Sequence, residues 1–232
     1  MTNLSEFTFL SSDGKTQLHG MLWEPEGVAV RAVLQICHGV AEHIARYDGF
    51  ARALNEQGIV VAGHDHLGHG KSLPEGGTPV YFGQGNTWNT VVDDIYVLHQ
   101  RLKQRYPDVP LCIMGHSMGS FLTRTYLIRY PGTVKAAVIM GTGWQPQAAI
   151  TGGNATSELV TELAFGSYNK LFAPNRTKVD WLSADESNVD DYIADPLCGA
   201  DATVGLFRQM LHGIRFNQRQ SHLRQMDRQM PV

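Results

Sequence analysis

Hydrophobic positions along the chain fall into short apolar runs that alternate with segments of helical periodicity. The apolar runs lie at residues 31–37, 59–63, 111–115 and 134–140. Apolar side chains at the 3.6-residue spacing of helices follow at residues 47–57, 88–106 and 117–129. Apolar strands separated by helices are typical of a parallel sheet that is buried on both faces. The pattern predicts an α/β fold with a mostly parallel sheet covered by helices on both faces.

The two ends of the chain depart from this alternation. Apolar and polar residues alternate at 7–10 and at 17–23, on either side of a polar turn. This pattern predicts an antiparallel hairpin at the N-terminus. After Gly141 the clearest patterns, at residues 156–165 and 202–216, are helical, with no strand-like run between them.

These changes of pattern divide the chain into three parts. We predict a core at residues 1–143, a helical cap or lid at 144–216 and a return to the core at 217–232. Within the last part, a polar helix is expected at 218–230, and Pro231 would begin another strand.

Composition and charge narrow the functional classes. A chain of 232 residues with 43% hydrophobic and 18% charged residues is long and apolar enough for a packed domain, which excludes a disordered protein. The net charge of −3 offers a polyanion no counter-charge, so we expect no nucleic-acid partner.

Three cysteines without metal-binding spacing indicate free thiols in a reducing compartment. No signal peptide and no transmembrane run is visible, so the expected location is cytoplasmic.

The strongest candidate chemistry is a serine in a Gly-x-Ser-x-Gly motif. Ser117 lies between an apolar strand and a helix, with Gly115 and Gly119 two positions on either side. A nucleophilic serine on a strained strand-to-helix turn needs small neighbours at those two positions. The helix that follows directs main-chain amides at a developing oxyanion. The motif therefore predicts a serine nucleophile at the carboxyl edge of the sheet.

Two further motifs precede this one in the chain. The first predicted parallel strand runs into His-Gly-Val-Ala-Glu-His at residues 38–43, and the second into Asp-His-Leu-Gly-His-Gly-Lys-Ser at residues 65–72. Together with Gly-His-Ser-Met-Gly at 115–119, these motifs resemble the α/β-hydrolase family. Within it the chain is most similar to the monoacylglycerol lipase and lysophospholipase branch, also described as serine aminopeptidase-like. Residues 180–183 and 195–198 resemble cap segments of bacterial members.

The resemblance implies a role for each motif. Ser117 would be the nucleophile, and the main-chain amides of Val40 and Met118 would form the oxyanion hole. His38 would shape its loop without reacting, and His116 would point away from the nucleophile. The family needs no cofactor and no metal, and its substrates are small-molecule acyl esters.

The base and the orienting carboxylate of the triad have no obvious position. In this fold they follow the serine in the order acid, then histidine. His212 and His222 follow Ser117, but they fall in the cap and the return segment and are interpreted as structural. The family places both groups after further strands, which would need about 50–60 residues beyond Val232. We therefore expect a truncated hydrolase whose 232-residue chain is inactive by itself.

Several alternatives remain open at this point. His64, His66 and His69 have a spacing similar to that of a zinc hydrolase motif, but Gly68 stands where that motif has aspartate. The Gly-Lys-Ser at 70–72 lacks the first glycine of a phosphate-binding loop, and no dinucleotide fingerprint follows the first apolar strand.

Apolar residues of the predicted cap favour a lid over an acyl chain, and hence a monoacylglycerol or lysophospholipid substrate with transient lipid contact. The alternative is a non-catalytic relative that binds a hydrophobic ligand or a partner. The sequence does not indicate an oligomeric state.

Overall fold

The protein, described here from a computed structural model over residues 1–143 and 168–232, is built on one six-stranded sheet. The strands in chain order are β1 Thr2–Leu10, β2 Gln17–Pro25, β3 Ala32–Cys37, β4 Ile59–His64, β5 Leu111–His116 and β6 Ala137–Met140. In space they run β1-β2-β4-β3-β5-β6. β1 and β2 form the predicted antiparallel hairpin, whereas β3 to β6 are mutually parallel. The predicted mostly parallel α/β sheet is confirmed.

Helices cover both faces of the sheet. The described helices are α1 Asp48–Asn55, α2 Thr87–Arg105, α3 Met118–Arg129, α4 Glu186–Ala194, α5 Val204–Gln218 and α6 Gln220–Leu223. One hydrophobic core contains side chains of α2, α3 and α5, and a second, smaller core contains Ala51 of α1. Adjacent residues of one strand, such as Val60 and Val61, face opposite cores, which explains the uninterrupted apolar runs.

The segment after the sheet is helical where the structure describes it. Two short 3₁₀ turns, Asn169–Phe172 and Asp180–Leu182, precede α4, and Thr203 caps α5 by accepting a hydrogen bond from the Leu206 amide at 3.1 Å. The predicted helix at 156–165 lies outside the described residues. The predicted helix at 202–216 corresponds to α5.

Helix α5 lies within the predicted cap segment, yet it packs against α2 and α3. Asn217 donates to the Phe121 carbonyl at 2.8 Å, and Thr125 donates to the Asn217 side chain at 2.8 Å. The Trp88 indole donates to the same Thr125 hydroxyl at 3.0 Å. Because all of these groups are buried, the hydrogen bonds fix α5 on the helix that follows Ser117.

Two predicted boundaries are wrong. The predicted return helix at 218–230 is reduced to α6, because Arg219 adopts an extended conformation and the polar residues after Leu223 form turns. The fourth parallel strand begins at Ala137 and not at residue 134. The Pro231 carbonyl accepts a hydrogen bond from the Ala137 amide at 3.0 Å, so the last residues lie along the edge of β6.

Candidate active site

Ser117 occupies a sharp turn between β5 and α3, and its backbone is in a conformation that side chains disfavour. Its φ of 52° and ψ of −119° lie outside the regions that L-residues ordinarily adopt. A Cβ added at Gly115 would overlap the Gly119 carbonyl oxygen, and one added at Gly119 would overlap the Cys37 carbonyl oxygen. The two glycines of the motif therefore permit the turn that sets Ser117 at the carboxyl edge of the sheet.

Main-chain hydrogen bonds fix the backbone of this turn without involving the Ser117 hydroxyl. The Ser117 amide donates to the Met140 carbonyl at 3.0 Å, and the Ser120 amide donates to the Ser117 carbonyl at 2.9 Å. Ser117 itself is half-buried. None of the described residues forms a hydrogen bond with its Oγ. Within residues 1–143 and 168–232, the structure thus holds the backbone of Ser117 firmly and places no hydrogen-bond partner on its hydroxyl.

The loop after β3 passes directly beside the serine. A Cβ added at Gly39 would lie 3.3 Å from the Ser117 Cβ, so the Gly39 main chain borders the serine side chain. Val40, the predicted oxyanion donor on this loop, is half-buried, and Met118, the other predicted donor, is the first residue of α3. In the part of the chain that the structure describes, neither of their amides has a hydrogen-bond acceptor.

His38 holds the peptide unit that carries the Val40 amide. The His66 amide donates to His38 Nε2 at 3.0 Å, so the proton of the neutral ring lies on Nδ1, which donates to the Gly39 carbonyl at 2.7 Å. Burial lowers the pKa of His38, which keeps the ring neutral. Because the Gly39 carbonyl and the Val40 amide belong to one planar peptide unit, this hydrogen bond also fixes the direction of the amide.

A buried carboxylate, that of Glu42, organises the same loop from the other side. It accepts hydrogen bonds from the Gly39 amide at 2.5 Å and the Tyr47 hydroxyl at 3.0 Å, and His116 Nδ1 lies 3.2 Å away. Burial acts to raise the pKa of Glu42, but the hydrogen bonds from His116 and Gly39 hold it at about 2. His116 therefore contacts Glu42 and not Ser117. The motif at 38–43 includes Glu42, but the sequence does not indicate that this carboxylate organises the loop, because a single glutamate in a loop carries no periodic pattern.

A second buried carboxylate, Asp65, joins the loop after β4 to the loop after β3. It accepts hydrogen bonds from the Ile44 amide at 2.8 Å and the Lys71 amide at 2.9 Å, and His19 Nδ1 lies 2.9 Å away. Burial acts to raise the pKa of Asp65, but these hydrogen bonds hold it at about 2. The structure thus gives the motif at 65–72 a supporting function.

The histidines of the alternative zinc motif pack against each other and against His38, with 5.0 Å between the ring centres of His64 and His66. His64, His66 and His69 are buried, and the ring centres of His38 and His66 lie 4.2 Å apart. Among the described residues, the group whose ligand-type atoms all lie within 4.8 Å of one another is instead His43, Asp195 and Cys198.

That second group is held together by a hydrogen bond. His43 Nε2 and Asp195 Oδ2 are 2.7 Å apart, whereas two ligands on one tetrahedral zinc ion would be roughly 3.4 Å apart. The geometry of His43 and Asp195 is therefore that of a hydrogen-bonded pair.

The two later histidines are placed away from the serine turn. His212 is exposed on α5, and His222 donates from Nδ1 to the Phe216 carbonyl at 2.9 Å. Neither has a described contact with Ser117. The structure brings together Ser117, Met118 and the Val40 loop, and it does not bring either histidine to them.

Comparison with known proteins agrees with this geometry. Residues 28–229 match the profile of the family described as serine aminopeptidase, S33. The chain belongs to this family. Over 210 residues it is 29% identical to the monoglyceride lipase of Mus musculus, covering 88% of this chain and 64% of that protein. Over 195 residues it is 29% identical to the monoacylglycerol lipase of Mycolicibacterium smegmatis, covering 83% of this chain and 65% of that protein.

These figures support the resemblance to the monoacylglycerol lipase branch that the motifs indicate. It spans about 64% of the length of the mouse relative. Among solved structures, a thermostable carboxyl esterase from Bacillus coagulans superposes with a TM-score of 0.84 at 24% identity, covering 98% of this chain and 77% of that one. The α/β-hydrolase fold is thereby confirmed. Within residues 1–143 and 168–232, no helix is both long and apolar enough to cross a bilayer.

Proposed function

We propose that this protein hydrolyses carboxylic esters through an acyl intermediate on Ser117. The hydroxyl attacks the ester carbonyl carbon, and the alcohol leaves. Water then releases the acid and restores the hydroxyl. The amides of Val40 and Met118 receive the negative charge that develops on the carbonyl oxygen, and losing one such donor typically costs about 100–1,000-fold in rate.

The backbone of Ser117 is the observation that carries this proposal. A non-glycine residue at φ 52° costs about 1–3 kcal/mol. Such strain is maintained by the surrounding glycines and by the hydrogen bond to Met140. It serves to present a hydroxyl at the start of α3, where amides and the helix dipole stabilise an anion. A protein that only bound a hydrophobic ligand would gain nothing from this strain.

The substrate class that we propose is a monoacylglycerol or a similar single-chain acyl ester. The similarity to the mouse and mycobacterial lipases supports this choice. Esters of this kind partition to lipid surfaces, so transient contact with such a surface is part of the proposal. We also propose a cytoplasmic location, which the three free cysteines support. A general base must also act on Ser117, and we propose that a histidine held by a carboxylate supplies it.

Labelling with a fluorophosphonate probe tests the nucleophile. The full-length protein is expected to be labelled at Ser117, and Ser117→Ala is expected to abolish both labelling and the hydrolysis of p-nitrophenyl butyrate. Ser221→Ala is the matched control, because Ser221 is an exposed serine on α6 and its loss should leave labelling and hydrolysis unchanged. Labelling that persists in Ser117→Ala would place the nucleophile elsewhere and refute the role of Ser117. A wild-type protein that is neither labelled nor active would favour the alternative of a non-catalytic binding protein.

A substrate series tests the ester class. Hydrolysis of monoacylglycerols with medium or long acyl chains should exceed that of acetyl esters. A preference for acetyl esters would contradict the acyl-chain assignment while leaving the nucleophile intact.

A further inference from the structure

The loop that carries Val40 contains a second strained residue, which is held by a distant part of the chain. Ala41 has a φ of 54°, in the left-handed region that alanine disfavours. Its carbonyl accepts a hydrogen bond from the Tyr192 hydroxyl at 3.1 Å and another from the Gly199 amide at 3.0 Å. Both donors belong to the segment around α4, which is separated from Ala41 by about 150 positions.

One face of α4 contacts the loop that carries Val40. Asn188 and Tyr192 are four residues apart, so their side chains lie on the same side of α4, and Asp195 directly follows the helix with an extended backbone. Asn188 accepts a hydrogen bond from the Arg46 guanidinium at 2.9 Å, and Asp195 pairs with His43 at 2.7 Å. The Arg46 guanidinium also lies 4.8 Å from the centre of the Tyr192 ring. Two residues of α4 and the residue that follows it thus contact the loop.

The position of the Val40 amide therefore depends on hydrogen bonds on both sides of it, one to its own peptide unit and the others to the carbonyl two peptide units further along. His38 holds the Gly39 carbonyl on one side, and Tyr192 with Gly199 holds the Ala41 carbonyl on the other. Relaxation of Ala41 to a negative φ would rotate the chain next to Val40 and turn its amide away from Ser117. A strained conformation persists only where its surroundings hold it.

We propose that Tyr192 is a positioning residue for ester hydrolysis, which acts through Ala41 on the oxyanion-binding amide of Val40. This inference rests on the proposed function. Tyr192 takes no part in bond making. Its hydroxyl raises the fraction of molecules in which the Val40 amide faces the reacting carbonyl. Since the oxyanion is absent from the bound ester and develops only in the transition state and the tetrahedral intermediate, losing the hydroxyl should affect kcat and not KM.

Tyr192→Phe in the full-length protein tests this inference. It removes the hydroxyl while keeping the ring beside Arg46 and Gly199. We expect kcat for p-nitrophenyl butyrate to fall roughly two- to tenfold, the range that one neutral hydrogen bond allows, with KM unchanged. Tyr130→Phe is the matched control, because its hydroxyl donates to Asp93 at 2.6 Å at the far end of α3, and its kcat should equal that of the wild type.

A second variant separates positioning from a general structural effect. Glycine adopts positive φ without penalty, so adding Ala41→Gly to Tyr192→Phe should recover part of the lost kcat. Hydrogen exchange of the main-chain amides at residues 39–43 gives a measurement that does not need turnover. It should be faster in Tyr192→Phe than in the wild type and in Tyr130→Phe.

The outcomes are distinguishable from failure of the proposed function. If the wild type shows turnover that depends on Ser117, but Tyr192→Phe keeps full kcat and normal exchange at 39–43, the role of Tyr192 is overturned and the proposed function stands. A fall in kcat without recovery by Ala41→Gly would overturn the route through Ala41. If the wild type shows no turnover that depends on Ser117, the proposed function and this inference both fail.

Discussion

The His38 ring donates a hydrogen bond to the Gly39 carbonyl at 2.7 Å, and this carbonyl shares a peptide unit with the Val40 amide. His38 is fixed in turn by the His66 amide, which donates to its other nitrogen. His38 thereby sets the direction of the Val40 amide, which we propose as an oxyanion donor. The motifs at 38–43 and 65–72 are joined by this contact.

Removing the His38 ring should impair catalysis through the Val40 amide. For His38→Leu in the full-length protein, we expect kcat to fall by between about 10- and 1,000-fold, the upper limit being the loss of one oxyanion donor. His38→Gln keeps a donor and an acceptor and should lose less. Steady-state kinetics with p-nitrophenyl butyrate measures both, with His222→Gln as a histidine control on α6. Equal activity in His38→Leu and the wild type would show that the loop needs no support from this ring.

The backbone strain at Ser117 should lower the free energy of unfolding of any variant that keeps a side chain at this position. Ser117→Gly removes the penalty of a side chain at φ 52°, whereas Ser117→Ala keeps it. We expect Ser117→Gly to be more stable than Ser117→Ala by about 1 kcal/mol, the strain relief being partly offset by the flexibility of glycine when unfolded. Urea denaturation of both variants measures this difference. The reverse order would mean that the turn is unstrained.

Packing at Gly119 should tolerate no added methyl group. A Cβ there would overlap the Cys37 carbonyl, so Gly119→Ala must displace the end of β3 or the start of α3. We expect a loss of more than about 2 kcal/mol in the free energy of unfolding. Gly49→Ala is the matched control, because Gly49 is an exposed helical residue with no neighbour near the added carbon.

The control, Gly49→Ala, should raise the stability of the protein, whereas Gly119→Ala should lower it. Alanine is favoured over glycine inside helices, so Gly49→Ala should gain about 0.5–1 kcal/mol. Thermal or urea unfolding of both variants measures the sign of the change in the free energy of unfolding. Similar effects of both substitutions would contradict the close approach of α3 to β3.

The contact of His19 with Asp65 should make stability depend on pH. The hydrogen bond with Asp65 raises the pKa of His19, and burial opposes this only in part. A group whose pKa is raised by folding binds its proton more tightly in the native state. Its contribution is therefore complete below the unfolded pKa, about 6.5, and is lost as the pH rises through the raised value.

Comparison with His19→Gln isolates this contribution. The advantage of the wild type in free energy of unfolding should be larger at pH 6 than at pH 9, as measured by urea denaturation at both values. An advantage that increases with pH would have the wrong sign and would show that the proton on His19 does not stabilise the fold.

The order of strands and helices and the serine turn were predictable because local features determine them. Hydrophobic periodicity reports which face of an element is buried, and two glycines at fixed spacing permit one particular turn around Ser117. The length of the last helix was not predictable, because its polar residues carry no periodic signal and Arg219 interrupts the helix by its backbone conformation.

The sequence by itself therefore determined the α/β architecture, the nucleophile candidate Ser117 and the neighbouring loops. Only the tertiary structure decided that Glu42 and Asp65 are buried hydrogen-bond acceptors, that His43 pairs with Asp195, and that Tyr192 holds Ala41. The physical reason is sequence separation. A hydrogen bond between positions about 150 residues apart depends on how the elements pack and leaves no trace in local hydrophobic spacing.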